Sequence, residues 1–209
     1  MKYIIIIILA LIISSCTFEN KVPNGYKVHK LFLKNNLCTI SIFLPSDFDT
    51  TYFWTKTSDN PCGYLEMYRI ANKQYSLLKE DGYFYFETPD SLKQLTVFHM
   101  KYRRQCEDTT QVIDINFLEQ SAKNLSLLYP EEELIIKELN TIHKRVFSVI
   151  GFQTNNKNKY NTLVTLSTVI NKQIIVFQFK YLGTKSIDFV ENVRKSINSI
   201  IITTAGNTG

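Results

Sequence analysis

The stretch "QIIVFQFKYLGTKSIDFVENVRKSINSI" (Gln173–Ile200) decides the fold class, because its period changes midway. From Ile174 to Tyr181 it is a β-branched and aromatic run of strand length. From Ser186 onward one helical stripe runs through Ser186, Val190, Val193, Ile197 and Ile200, the last four apolar. That spacing draws one stripe down a helix, with Asp188 in its first turn where the helix dipole favours an acid. Immediately upstream, "INKQ" (Ile170–Gln173) is short and polar at its centre. It predicts a tight hairpin joining Leu163–Ile170 to Ile174–Tyr181. A strand pair closed by an amphipathic helix is thus the C-terminal unit.

Moving outward, strand signals dominate. They cover Val28–Leu33, Leu37–Leu44, Tyr52–Thr55, Tyr64–Ile70, Tyr83–Glu87, Leu95–Tyr102 and Arg145–Gln153, separated by turn-rich pieces such as "SDNPCG" and "TPDS". One segment in between breaks the rhythm. Leu118, Ala122, Leu125 and Leu128 recur at helical spacing, which predicts a helix over Ile115–Tyr129 with Asp114 as its N-cap. The acids Glu131–Glu133 then lead either into a second helix or into a strand, "LIIKEL", and the strand is favoured. This order predicts an α+β fold, a curved antiparallel sheet with two or three packed helices.

The N-terminus, "MKYIIIIILALIISSCTFEN", speaks to compartment. A membrane-spanning helix needs about 20 apolar residues, and the run from Tyr3 to Ile13 is roughly half of that. It fits a signal-peptide hydrophobic region, with Lys2 ahead of it and the small residues Ser14 and Ser15 behind. "ISSC" resembles the lipobox of bacterial lipoproteins, with Ile13 and Ser15 where Leu and Gly or Ala are usual. The resemblance implies cleavage before Cys16, a thioether-linked diacylglycerol on Cys16, and effectively permanent attachment by three acyl chains. Residues 1–15 are then the signal peptide and 16–26 the lipidated cysteine and a polar tether. Residues 27–202 form a single domain and 203–209 a frayed tail. Thr17 is not the aspartate that retains many lipoproteins in the inner membrane, so the outer membrane is favoured over the inner.

The chain of 209 residues carries 24 Lys and Arg against 19 Asp and Glu, a net charge of +5. The excess is mild and spread out, its densest cluster being Lys101–Gln105 ("KYRRQ"), which reads as a solvated strand end. No nucleic-acid motif occurs, and nucleic acid is not an expected partner. Two other segments resemble the PsbP-like domains, the family that includes a photosystem II extrinsic protein and the DcrB-type bacterial lipoproteins. "LCTISIFLPSDF" (Leu37–Phe48) is similar to that family's strand-Pro-aromatic opening, and "QIIVFQFKYLG" with "SIDFVENVRKSINSI" to its last strand and closing helix. The resemblance implies a fold and an accessory role rather than a reaction.

The search for chemistry yields little. His29, His99 and His143 stand in no metal-ligand spacing, and GxSxG, GxxxxGK and GxGxxG are all absent. Asp47 and Asp49 lack a calcium-loop pattern, and the run Glu131–Glu133 offers one environment where an acid–base pair needs two. No catalytic residue, metal or cofactor is expected. Cys38 alternates with Ile40, Ile42 and Leu44 and should be buried as a small hydrophobe. Cys62 and Cys106 lie in polar surroundings, and an oxidising envelope would let them pair. The pairing depends on topology. If Tyr64–Ile70 and Leu95–Tyr102 are antiparallel neighbours, both cysteines lie at one sheet end. If Tyr83–Glu87 lies between them, they are far apart. The aromatic stretches "TYFW" and "GYFYF" are the least bland feature, and Tyr52, Trp54, Tyr83 and Tyr85 are the candidate ligand contacts. The expectation is a membrane-anchored envelope lipoprotein acting as a non-catalytic interaction or accessory module with an envelope protein partner. A small-ligand binder is the alternative, and an enzyme without a recognisable motif comes third.

Overall fold

The computed structural model describes residues 21–33, 37–57, 63–72, 92–102, 112–156, 159–184 and 187–204. In chain order the strands and helices are β1 (Tyr26–Phe32), β2 (Thr39–Pro45), β3 (Thr50–Thr57), β4 (Gly63–Ala71), β5 (Leu92–Tyr102) and α1 (Ile115–Leu128). There follow β6 (Glu133–Ile142), β7 (Arg145–Asn156), β8 (Lys159–Ile170), β9 (Gln173–Gly183), α2 (Ile187–Asn198) and β10 (Ile201–Thr203). The fold is α+β. The expected strand Tyr83–Glu87 lies outside the described residues, as do Ser186 of the helical stripe and residues 205–209.

Ten strands form two open antiparallel sheets, among the described residues, where the sequence predicted one. A seven-stranded sheet has the order β3-β4-β5-β9-β8-β7-β6, and a three-stranded sheet the order β1-β2-β10. The small sheet exists because the chain leaving α2 returns beside β2, pairing Ile201 with Ser41 and Thr203 with Thr39. Strands β4 and β5 are direct neighbours, in register from Gly63 opposite Tyr102 to Ala71 opposite Gln94. That excludes a meander with a strand between them.

The two long C-terminal hairpins turn in two residues each. His143 and Lys144 join β6 to β7, and Asn171 and Lys172 join β8 to β9, all four with positive φ. Two consecutive left-handed residues make the turn whose twist suits a hairpin. Glu133 opens β6, so the acidic run leads into a strand. Asp114 caps α1, its Oδ1 accepting from the Phe117 amide at 2.8 Å.

Register alternation divides the large sheet into two unlike faces. Leu95 and Val97 of β5, Phe177 and Phe179 of β9, and Val164 and Leu166 of β8 share the core face. Against them pack Ile40, Ile42 and Leu44 of β2, and Phe189, Val193 and Ile197 of α2. The α2 stripe is therefore buried as its spacing predicts, with Val190 half-buried beside it. Polar bonds fix its position. The Phe43 amide donates to Ser199 Oγ (2.8 Å), Tyr26 Oη donates to Asn192 Oδ1 (2.6 Å), and Arg194 reaches Glu138 (3.0 Å). On the opposite face, α1 lays Leu118 and Ala122 over Ile150 and Phe152 of β7.

Candidate functional site

The face of the large sheet opposite the core is where polar side chains gather. One register row crosses it as Tyr52, Arg69, Thr96, Gln178 and Thr165, on β3, β4, β5, β9 and β8 in turn. The neighbouring row adds Gln94 and Lys180, which pair across β5 and β9. These are not solvated positions. Arg69, Gln94 and Thr96 are 4%, 4% and 3% exposed, and Thr165 and Ser167 are also buried.

A guanidinium out of water needs acceptors to offset the lost hydration. Arg69 Nε donates to Thr96 Oγ1 at 3.1 Å. Gln94 Oε1 and Thr165 Oγ1 are buried without a hydrogen-bond partner among the described residues. At the β8 end, Asn161 Nδ2 donates to Glu132 Oε1 at 3.1 Å. Burial pushes the Glu132 carboxyl above its ordinary value, and the ammonium of Lys180 works against that. Two cations, two amides and two hydroxyls on adjacent strand positions suit a polar, anionic or hydroxyl-rich group rather than an apolar one.

A second cluster lies on the core face. Glu66 of β4 and His99 of β5 are register partners, and Glu66 Oε2 stands 3.2 Å from His99 Nε2. Their side chains are 3% and 2% exposed. The contact is within ion-pair distance but lacks hydrogen-bond alignment between these two atoms. The pair is buried, and its evident effect is on register. A slip of one residue would set the Glu66 carboxylate against the apolar positions Phe98 or Met100.

The sequence candidates divide accordingly. Tyr52 sits on the edge strand beside Arg69, 36% exposed, and Trp54 takes the register position opposite Met67. Tyr83, Tyr85, Cys16, Cys62 and Cys106 lie outside the described residues. Cys38 is buried, and desolvation lifts its thiol to about 11, so it is a hydrophobe rather than a nucleophile. Asp47 is engaged by Lys93 Nζ at 2.8 Å, and Asp49 Oδ1 accepts from Thr50 Oγ1 at 2.9 Å. Among the described residues no cluster of three His, Cys, Asp or Glu could hold a metal ion. His143 belongs to a hairpin turn. His29 is half-buried, and burial followed by the charge of Lys27 lowers its pKa, a backbone hydrogen bond with Phe48 opposing them.

The residues that sequence reasoning missed are Arg69, Gln94 and Thr96. Each alternates with apolar neighbours, as in "MYRIA" and "KQLTV", and polar residues at alternate strand positions read as a solvent face. Only the register places them in one row.

An antiparallel α+β domain of this layout has relatives in shape. The structure is similar to the solution structure of cyanobacterial PsbP (CyanoP) from Synechocystis sp. PCC 6803, with TM-score 0.45 and 11% identity over 87% of this chain and 95% of that one. It is also similar to LpqN, a Mycobacterium tuberculosis protein involved in cell envelope biogenesis, with TM-score 0.39 and 11% identity over 86% and 92% of the two chains. No protein-family model and no curated protein matches the sequence. Likeness at this level concerns the course of the chain and not its activity.

Proposed function

We propose that this chain is a lipid-anchored protein of the bacterial envelope, held in the outer membrane, whose α+β domain is a non-catalytic interaction or accessory module for an envelope partner. The observation that carries the reading is the N-terminal order: Lys2, a short apolar run, then Ser14-Ser15-Cys16. Among the described residues, Tyr26 N donates to Pro23 O and Ser46 N to Gly25 O, so the chain is tied to the small sheet from Pro23 onward. Intact-mass spectrometry of the envelope-purified protein tests the anchor: a diacylglyceryl cysteine at Cys16 is expected, and Cys16→Ser should leave unprocessed or soluble chain. An unmodified Met1 terminus in that fraction refutes it.

In the oxidising envelope Cys62 and Cys106 form a disulfide in this reading, supported by the direct β4–β5 pairing. A second reading, small-ligand binding, draws on Tyr52 standing in register with Arg69. Thermal-shift screening of sugar acids and small carboxylates tests it. A melting rise in the wild type that Tyr52→Ala abolishes supports it, and no rise across the set refutes it.

A further inference from the structure

We propose that the outer face of the β1-β2-β10 sheet is a membrane-contact surface that lies on the bilayer carrying the anchor. The inference rests on the lipid-anchor reading for its geometry. On β1, Leu31 points into the core and its neighbours Lys30 and Phe32 point away from it, as does Val28. The outward positions then run Val28, Lys30 and Phe32 on β1, Thr39, Ser41 and Phe43 on β2, and Ile201 and Thr203 on β10; Phe43 alone among them is buried, so the open part of the face lies toward Lys30, Phe32 and Ile201.

A solvated sheet face alternates polar side chains outward. Here Phe32 is 69% exposed, Val28 43% and Ile201 38%. None of these outward positions carries a carboxylate, and the charge among them is Lys30. Exposed apolar side chains around a cation, without an acid, match an interface of acyl chains and anionic phosphates.

The number of residues between Cys16 and the described part of the fold keeps this face within reach of that interface. Pro23 is already tied to the domain through Tyr26 N. From Cys16 to Pro23 a fully extended backbone reaches roughly 25 Å at most. β1 begins three residues later, so its start stays within roughly 35 Å of the anchor and the face can reach the headgroups. The approach itself is net neutral, with Glu19 two residues before Lys21, so the cation that counts is Lys30 on the face. A second copy of the chain or a protein partner would be a different occupant, and the experiment separates these.

The test uses the full chain purified from envelopes. Trp54→Phe removes the single tryptophan. In that background Phe32→Trp reports on the proposed surface, and Leu127→Trp on α1, across the large sheet and 74% exposed, reports on the far side. The proteins are reconstituted into phosphatidylcholine–phosphatidylglycerol vesicles whose acyl chains are brominated near the headgroup. The expected result is a blue shift and loss of about half of the emission at position 32, where indole and bromine share the outer ~5–10 Å of the bilayer. Position 127 should be unquenched. Equal quenching at both positions, or none at 32, overturns the proposal. No quenching at 32 together with a concentration-dependent dimer mass assigns the face to a second copy instead. Lipid at Cys16 is read separately by intact mass. An unlipidated chain that still floats with vesicles and shows the contrast between 32 and 127 would refute the anchor and uphold the surface.

Discussion

The proposed Cys62–Cys106 disulfide is the sharpest test that the strand order offers. Gly63 opens β4 opposite Tyr102, the last residue of β5. Cys62 therefore directly precedes a residue paired at the sheet end, and Cys106 follows its partner by four. A disulfide needs its α-carbons within about 7 Å, a distance that a four-residue excursion past the end of β5 can close. Cross-linking two cysteines this far apart in sequence removes loop-closure entropy from the unfolded chain worth roughly 4 kcal/mol, on the model in which that entropy carries the whole effect. The perturbation is Cys62→Ser, with Cys106→Ser and the double variant beside it. Urea denaturation should show each single variant and the double variant destabilised by about the same amount, roughly 4 kcal/mol or less. Reductant should bring the wild type to their level and leave the variants unchanged. Non-reducing peptide mapping should show the Cys62–Cys106 peptide, with Cys38 unlinked. Two alkylatable thiols at 62 and 106 in envelope-purified protein would refute the bond. A bridge involving Cys38 would contradict the burial that makes that thiol inert.

Four further outcomes follow from the packing and charges. Ile197→Ala empties a buried position on the inner face of α2 and should cost roughly 2–5 kcal/mol in denaturant titration; a loss below about half a kcal/mol would place that face in solvent. Gly151→Ala sets a methyl 3.1 Å from Ile136 Cβ on the adjacent strand; that branched carbon is fixed to the backbone and cannot swing away, so a loss of about 1–3 kcal/mol is expected. Lys172→Gly relieves a left-handed residue in the β8–β9 turn and should stabilise by about 0.5–1 kcal/mol, whereas a neutral or negative effect would locate the turn's stability elsewhere. For pH, His29 has a folded pKa below its ordinary 6.5, so the unfolded chain binds the proton more readily and stability falls as pH drops through about 6.5 toward the lower folded value. His29→Gln should flatten that part of the stability–pH curve, and an unchanged slope would show that other groups set it.

How much of this was legible before the structure depends on how local each determinant is. α2 was readable because Val190, Val193 and Ile197 recur at one helical spacing within a dozen residues. Cys38 was readable as core because alternation with Ile40 and Ile42 needs no knowledge of partners. The small sheet was not, since β10 is three residues long and Ile201–Thr203 looked like the end of a helix running into a tail. The hairpin at "INKQ" was visible as a turn, but two consecutive positive φ values at Asn171 and Lys172 were not, because the usual glycine is missing. The polar row and the Glu66–His99 pair share one obstacle. Arg69 meets Thr96, and Glu66 meets His99, only through the β4–β5 register. Register is set by long-range pairing that alternation within a single strand cannot encode.

The layer order joins the two surfaces into one arrangement. The small sheet and α2 pack on the core face of the large sheet, and the polar row of Arg69, Gln94 and Thr96 occupies the other face. If Val28, Phe32 and Ile201 lie against the bilayer as proposed, that row lies on the side away from the lipid. Tyr52 then stands at the rim of that side, 36% exposed on an edge strand whose far flank has no described neighbour. An edge strand can also take a further strand from a partner. Ligand binding and partner docking therefore separate experimentally. Lys56→Pro on β3 puts a ring where an incoming strand would hydrogen-bond or where β4 already does. If a partner adds to β3, scanning proline along residues 52, 54 and 56 and then 51, 53 and 55 should weaken capture for one parity while the domain stays folded. Loss of folding in one parity with unchanged capture in the other would remove β3 as the docking edge and leave the polar row as the reason for this face.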